Sequence, residues 1–114
     1  MPQSPPELRD LLFRIFPAYQ PQWESADNPF VSDDGTFSYH GLMIDFTEFF
    51  GRNLASLSEK QLREFGGLVN AVVAADGPLE NAVSTCLFEH LHQIKAAKAL
   101  RPFLSPVAKE KSHA

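Results

Sequence analysis

Apolar residues repeat with the spacing of an α-helix over residues 79–94, and this pattern constrains the fold more than any other feature of the chain. The repeat occupies relative positions 0, 3, 4, 7, 8, 11, 12 and 15, and its members are Leu79, Ala82, Val83, Cys86, Leu87, His90, Leu91 and Ile94. Such a stripe buries one face of a helix along its whole length. We therefore predict a central core helix over about residues 78–95.

A second long helix is predicted directly before it. Ser58 and Gln61 form a capping box that opens a helix over residues 58–75. Its centre contains Gly66-Gly67, which costs helix stability and therefore predicts close packing of another helix at that point. Asp76-Gly77-Pro78 separates the two helices, so we predict a helical hairpin over about residues 58–95.

Two further apolar stripes predict helices in the N-terminal half. Ser4 and Glu7 form another capping box, with Pro5 at the first helical position and Pro17 at the end. The buried stripe of this helix is Leu8, Leu11, Leu12, Ile15 and Phe16. The next helix is predicted over residues 38–52, with Leu42, Phe46, Phe49 and Phe50 buried and with Asp45 and Glu48 on the opposite side.

Residues 17–36 are predicted to be irregular, because Pro17, Pro21 and Pro29 break any long helix. Trp23 and Phe30 lie within this stretch. Aromatic side chains in a long loop either anchor it to the core or contact a partner, and a loop of this length in a small domain favours anchoring.

The C-terminal region carries a short final helix in this interpretation. Its apolar residues are Leu100, Phe103, Leu104 and Val107, and Pro102 and Pro106 limit its length. The polar residues 109–114 form a frayed tail. Together these elements predict an all-α fold, a compact bundle of four to six helices that forms one domain over residues 1–114.

Composition excludes several classes of protein. Of the 114 residues, 44% are hydrophobic and 21% are charged, which excludes a disordered chain. No apolar run approaches the ~18 residues that a membrane span needs, and the N-terminus lacks the pattern of a secretory signal. With one cysteine no internal disulfide is possible, and we expect a cytoplasmic protein. The net charge of −4 does not favour binding to nucleic acid.

Charge is distributed unevenly along the chain. Residues 1–57 contain three basic and eight acidic residues, a balance of −5, whereas residues 91–114 contain five basic residues and one acidic residue, a balance of +4. The acidic half is suited to attract a basic protein partner. The alternative is that the opposite charges face each other across the fold as ordinary solvated surface.

The residues able to do chemistry do not form a catalytic motif. Cys86 and His90 fall on the buried stripe, where core packing is their expected role. Glu89 and His92 have the spacing of a di-iron helix but lack the companion motif, so we expect no metal and no cofactor. A small enzyme remains a third possibility. It would use His40 with Asp45 or Glu48 in a concave pocket.

An acidic surface with aromatic residues is the candidate binding site. Trp23, Phe30 and Tyr39 are candidate anchors that become desolvated in a complex. The remaining candidate contacts surround the Asp33-Asp34-Gly35 turn and the start of the second helix, and they are Glu24, Asp27, Asp33, Asp34, His40, Asp45 and Glu48. Acidic interfaces with aromatic anchors are typical of protein–protein contacts.

Two segments resemble blocks in small bacterial proteins of unknown function. The first runs from Asp33-Asp34-Gly35-Thr36-Phe37-Ser38-Tyr39-His40-Gly41 into Phe46-Thr47-Glu48-Phe49-Phe50, and the second is Asn81-Ala82-Val83-Ser84-Thr85-Cys86-Leu87-Phe88-Glu89. These proteins are similar to the immunity proteins of bacterial polymorphic toxins. The resemblance implies a helical, non-enzymatic antitoxin that occludes the active site of a toxin, and we expect a basic toxin domain as the partner. The alternative is an adaptor or regulatory subunit that docks a partner through its helical hairpin.

Overall fold

Helices provide the regular secondary structure of the residues that the computed structural model describes, which are 2–25, 28–75, 77, 79, 81 and 97–112. The α-helices in this part of the chain are α1 (Pro5–Ile15), α2 (Gln20–Trp23), α3 (Tyr39–Arg52), α4 (Glu59–Ala75), α5 (Ala97–Leu100) and α6 (Pro106–Ser112). Three 3₁₀ turns connect them, Pro17–Tyr19, Leu54–Ser56 and Arg101–Phe103. The predicted all-α class is confirmed.

The predicted helix starts at Ser4 and Ser58 are confirmed by their hydrogen bonds. The Ser4 hydroxyl accepts from the amide of Glu7 at 3.4 Å, and Pro5 is the first residue of α1. At α4 the capping box is reciprocal. The Gln61 amide donates to the Ser58 hydroxyl at 3.1 Å, and the Ser58 amide donates to Gln61 Oε1 at 2.9 Å. These contacts satisfy amide groups that have no partner inside the helix.

The core forms where α1, α3 and α4 meet. The ring of Phe16, just after α1, lies 5.1 Å from the ring of Phe46 on α3 and 5.7 Å from that of Phe65 on α4, measured between centroids. Tilted and edge-on ring pairs at this spacing are favourable beyond the apolar area that they bury. Aliphatic side chains from the same three helices surround the rings, among them Leu8, Leu12, Leu42, Val69 and Val72.

Helix α3 is buried on more sides than the sequence predicted. Its exposed residues lie along one line with a spacing of four, His40, Ile44, Glu48 and Arg52. Asp45 was expected beside Glu48 on the solvent side, and this is wrong because Asp45 is only 9% exposed. Tyr19 and Gln22 cover it, and both belong to the segment that packs across this side of α3.

The stretch 17–36 is more regular than predicted. It begins with the turn Pro17–Tyr19 and continues into α2. Pro17 and Pro21 do not prevent this, since each lies in the first turn of its helical segment, where an amide donor is not needed. The segment is anchored in the core by Trp23, which is 4% exposed.

The predicted final helix is interrupted. Residues 97–112 form α5, the turn Arg101–Phe103 and α6, and the break changes which residues face the core. Val107, one of the apolar residues of the predicted helix, is 54% exposed, whereas Ala108 is fully buried. The predicted frayed tail is helical as far as Ser112, because the Ser105 hydroxyl caps α6 by accepting from the Ala108 amide at 3.2 Å.

Close packing at Gly66 is confirmed, although its partner is the turn Arg101–Phe103 rather than another helix. A Cβ atom on Gly66 would lie 2.6 Å from the Cβ of Phe103 and 2.9 Å from the Phe103 carbonyl oxygen. Gly67 has no neighbour within 4 Å of the same position, so only one of the two glycines serves this contact. Asn70, one turn later, donates to the Phe103 carbonyl at 3.1 Å and accepts from the Ser105 amide at 2.7 Å.

The second arm of the predicted hairpin, residues 78–95, lies outside the described residues except for Leu79 and Asn81. Leu79 is buried in the core cluster, as its place in the stripe predicted. Cys86, Glu89, His90 and His92 belong to the part that is not described. Within the described part, no helix is both long enough and apolar enough to cross a bilayer.

Candidate functional site

The acidic turn, residues 32–36, is closed by two backbone hydrogen bonds. The Gly35 amide donates to the Ser32 carbonyl at 2.8 Å, and the Ser32 amide donates to the Thr36 carbonyl at 2.9 Å. Gly35 has a φ of +86°, a conformation that side-chain-bearing residues rarely adopt. The turn therefore depends on glycine at this position, and it presents Asp33 and Asp34 to solvent.

Asp34 is held within the acidic turn by its own side chain. Its Oδ1 accepts from the Thr36 hydroxyl at 2.7 Å and from the Thr36 amide at 3.1 Å. These two hydrogen bonds favour the ionised carboxylate, so they lower the pKa of Asp34 below its ordinary value. The acidic turn thus carries a defined negative charge at neutral pH.

The loop around the acidic turn is fixed by Trp23 and Phe37. Their ring centroids are 4.9 Å apart, and the Arg9 guanidinium lies 5.4 Å from the Phe37 ring. Asn28 donates to the Trp23 carbonyl at 2.7 Å and accepts from the Phe30 amide at 2.9 Å. Trp23 was expected among the candidate surface contacts, and its burial corrects this, because its ring serves to hold the loop.

Phe30 and Tyr39 flank the acidic turn along the chain and are both half-buried. Phe30 packs over the start of α3, where a Cβ on Gly41 would lie 3.2 Å from the Cβ of Phe30. Desolvation and the nearby charge of Glu7 raise the pKa of Tyr39, so its hydroxyl remains a neutral donor. His40, the next residue of α3, is exposed. These three residues keep surface that a partner can contact.

Asp45 takes part in a buried hydrogen-bond network rather than in a surface. The Tyr19 hydroxyl donates to Asp45 Oδ2 at 2.7 Å, and Gln22 Nε2 lies 3.3 Å from Oδ1 and 3.2 Å from the Asp45 carbonyl. Burial, followed by the hydrogen bond to Asp45, raises the pKa of Tyr19 well above its ordinary value of 10.0. Asp45 is therefore not available to a partner, and its expected place among the surface contacts is corrected.

The other predicted carboxylates are separate from this network. Glu24 is exposed and accepts from Gln20 Nε2 at 3.1 Å, and Glu48 forms an ion pair with Arg52 at 3.2 Å. Asp27 lies outside the described residues. The possible enzyme site, His40 with Asp45 or Glu48, is not assembled. Asp45 faces the interior, and His40 and Glu48 lie two turns apart, roughly 12 Å along the helix axis.

Sequence reasoning did not identify Tyr19 and Gln22 as neighbours of Asp45. A signal was present in α3 itself, where apolar residues occupy more than one face, including Leu42, Met43, Phe46 and Phe49. The polar face of α3 runs through His40, Glu48 and Arg52, and position 45 does not lie on it. A helical wheel drawn for the whole helix would therefore have placed Asp45 at the boundary of the core.

Open grooves occur in the described part of the chain, and two of them lie beside α1. One, of about 610 Å³, lies beside the loop and is lined by residues that include Arg9, Phe13, Trp23, Glu24 and Val31. The other, of about 620 Å³, lies between α1 and α4. Among the described residues, no group of three histidine, cysteine, aspartate or glutamate side chains is arranged to hold a metal ion.

Comparison of the chain with family models, with curated proteins and with solved structures finds no match.

Proposed function

We propose that this chain is a non-enzymatic protein-binding domain, and most specifically an immunity-type protein that neutralises a cognate bacterial toxin in the cytoplasm. The acidic turn is the observation that carries the proposal. Its hydrogen bonds define one conformation, and both of its carboxylates face water. A surface that is ordered before binding loses little conformational entropy in the complex.

The partner in this proposal is a basic toxin domain that acts on nucleic acid or nucleotide. Such a domain carries a positive groove for its substrate, and the carboxylates of Asp33 and Asp34 complement that charge. Phe30 and Tyr39 add apolar contact area near the acidic turn. Occupation of the groove then excludes the substrate by volume and by charge, and no bond is made or broken. Residues 33–41 resemble a block in small bacterial proteins of unknown function that are similar to immunity proteins, and this resemblance implies the same class of function.

The test compares binding of the wild-type protein with that of an Asp33→Asn/Asp34→Asn variant. The ligand is the protein that co-purifies from the native host or is encoded by the adjacent open reading frame. The asparagine side chain introduced at position 34 keeps an oxygen that can accept from Thr36, so the variant removes charge without opening the turn. We expect the association rate to fall about tenfold and its dependence on salt to become shallower.

The matched control is Glu59→Gln, which removes an exposed carboxylate from the start of α4. We expect it to leave the association rate within about twofold of wild type, since rim charges act mainly within one Debye length of about 10 Å. Equal association rates and equal salt dependence for the wild type and the double variant would contradict the proposal. A functional test adds growth of cells that express the toxin, which the wild-type protein should restore.

The alternative function is an adaptor that docks a partner through the hairpin, and the acidic turn does not support it because the turn lies outside the hairpin. Of that hairpin the structure describes α4 and, beyond it, only residues 77, 79 and 81. The acidic turn is therefore the surface on which the proposal rests.

A further inference from the structure

We infer that the groove between α1 and α4 is a second docking surface, and that it binds an amphipathic helix with basic residues from a partner protein. The groove has a volume of about 620 Å³ and is open to solvent. Its apolar lining is Pro2, Leu11, Ile15, Leu68 and Ala71, and its charged lining is Glu7, Asp10, Arg14 and Glu64. It shares no residue with the acidic turn, so this inference stands apart from the proposed function.

The spacing of the lining residues produces the two walls of the groove. Glu7, Leu11 and Arg14 lie at i, i+4 and i+7 of α1, and Glu64, Leu68 and Ala71 repeat the same spacing on α4. Residues with this spacing share one face of a helix. Each wall therefore places an acidic residue one turn before a leucine. A partner helix whose apolar residues recur at i, i+3, i+4 and i+7 matches such a groove.

The leucines of the groove are less buried than their neighbours. Leu8 and Leu12 on α1 are fully covered by the core, whereas Leu11 is only partly buried at the edge of the core, and Leu68 on α4 is in the same position. Apolar area at both leucines is thus still in contact with water. Removing it from water is the main favourable term when an apolar surface is covered by a partner.

Charge selects the kind of helix that fits. The groove carries three carboxylates and one guanidinium. Asp10 is paired with Arg9 at 3.0 Å and Glu7 accepts from the Ser4 hydroxyl at 3.2 Å, but Glu64 has no ion pair within the described part of the chain. Lysine or arginine beside the apolar face of the partner helix complements this balance, and an acidic helix is repelled.

The probe for this site is a fluorescent peptide of about 15 residues, long enough to form a helix on binding, with leucine on one face and lysine on the other. Binding is measured by anisotropy to the wild-type protein and to the Glu64→Lys and Leu68→Ser variants. We expect saturable binding to the wild type, and at least a tenfold weaker Kd for each variant. Circular dichroism verifies that both variants are folded, which is expected because Glu64 is exposed and Leu68 is half-exposed.

Two matched controls separate docking in the groove from general attraction between opposite charges. Asp33→Lys makes the same change of charge on the acidic turn and should alter Kd less than about threefold. A peptide of the same composition, scrambled so that its leucines share no face, should bind at least tenfold more weakly. Backbone amide shifts on titration should concentrate on the α1 and α4 residues that line the groove.

Three results would overturn the inference. They are equal weakening by Asp33→Lys and Glu64→Lys, equal binding of the scrambled peptide, and amide shifts confined to residues outside the two walls. The Asp33→Asn/Asp34→Asn experiment with the toxin tests the other surface, so the failure of one proposal leaves a distinct signature from the failure of the other.

Discussion

Asp45 and Asp34 are both aspartates that the sequence assigned to one binding surface, yet the fold uses them in opposite ways. Asp45 on α3 is nearly inaccessible and accepts from the buried hydroxyl of Tyr19 at 2.7 Å. Asp34 is exposed and accepts from Thr36, two residues further along the chain. One carboxylate joins elements that are distant in sequence, while the other shapes only its own turn. In this pair, the buried carboxylate with the distant partner stabilises the fold, and the exposed carboxylate with the local partner shapes a surface.

Replacing Asp45 should give the largest effect. Asp45→Ala leaves the Tyr19 hydroxyl buried without its acceptor, and we expect the free energy of unfolding to fall by about 1–3 kcal/mol. The measurement is urea denaturation, with Asp33→Ala as the exposed control, which should stay within about 0.5 kcal/mol of wild type. Adding Tyr19→Phe to both the wild type and the Asp45→Ala variant completes a double-mutant cycle. A coupling energy near zero would show that the pair does not act as a unit.

Alkaline pH should destabilise the buried Tyr19–Asp45 pair and leave the acidic turn unaffected. Because the pKa of Tyr19 in the folded protein is raised above its ordinary value of 10.0, the stability that it contributes is present below about pH 10 and is lost as pH rises further. We expect urea midpoints to fall above pH 10, and Tyr19→Phe should flatten this fall.

At acidic pH, the change in stability with pH should depend on Asp34. Its folded pKa is lowered, so its contribution is present above the ordinary value of 3.8 and is lost as pH falls through the lower value. Asp34→Asn should remove this contribution and leave the loss of stability at alkaline pH unchanged.

A Tyr19→Phe variant that still loses stability fully above pH 10 would contradict the alkaline prediction. The loss would then be assigned to another group, with Tyr39→Phe as the next variant to measure.

Removing both charges of the acidic turn should have the smallest effect on stability. For Asp33→Asn/Asp34→Asn we expect a change in the free energy of unfolding below about 0.5 kcal/mol, because both side chains are exposed and the amide keeps the acceptor for Thr36. Thermal and urea unfolding measure it. A loss above about 1 kcal/mol would mean that the turn is part of the stabilising structure, and the contrast with Asp45 would disappear.

Features that depend on nearby residues could be predicted from the sequence. Ser4 and Ser58 each cap a helix by accepting from the amide three residues later, and both helix starts were located correctly. The core stripe of α1 follows from helical periodicity, with Leu11 at its partly buried edge. The acidic turn was likewise evident from Asp33-Asp34-Gly35, since glycine can adopt the positive φ of this turn without steric cost.

Features that depend on tertiary contacts could not be predicted in the same way. The position of Asp45 is decided by Tyr19, 26 residues earlier in the chain. Trp23 is buried because Phe37 meets it across a loop whose path no local pattern specifies. Val107 is exposed and Ala108 is buried in a helix that follows the turn Arg101–Phe103, and no local pattern marks where that turn interrupts the predicted helix.

The contact between Gly66 and Phe103 limits how this sequence can vary. At many core positions a larger residue on one element can be balanced by a smaller residue opposite. Here the Phe103 carbonyl oxygen itself would lie 2.9 Å from an added Cβ, so no smaller side chain at position 103 restores the space. Asn70 holds that same oxygen in place. Any chain that keeps this C-terminal path must therefore keep glycine at 66, whatever else changes around it.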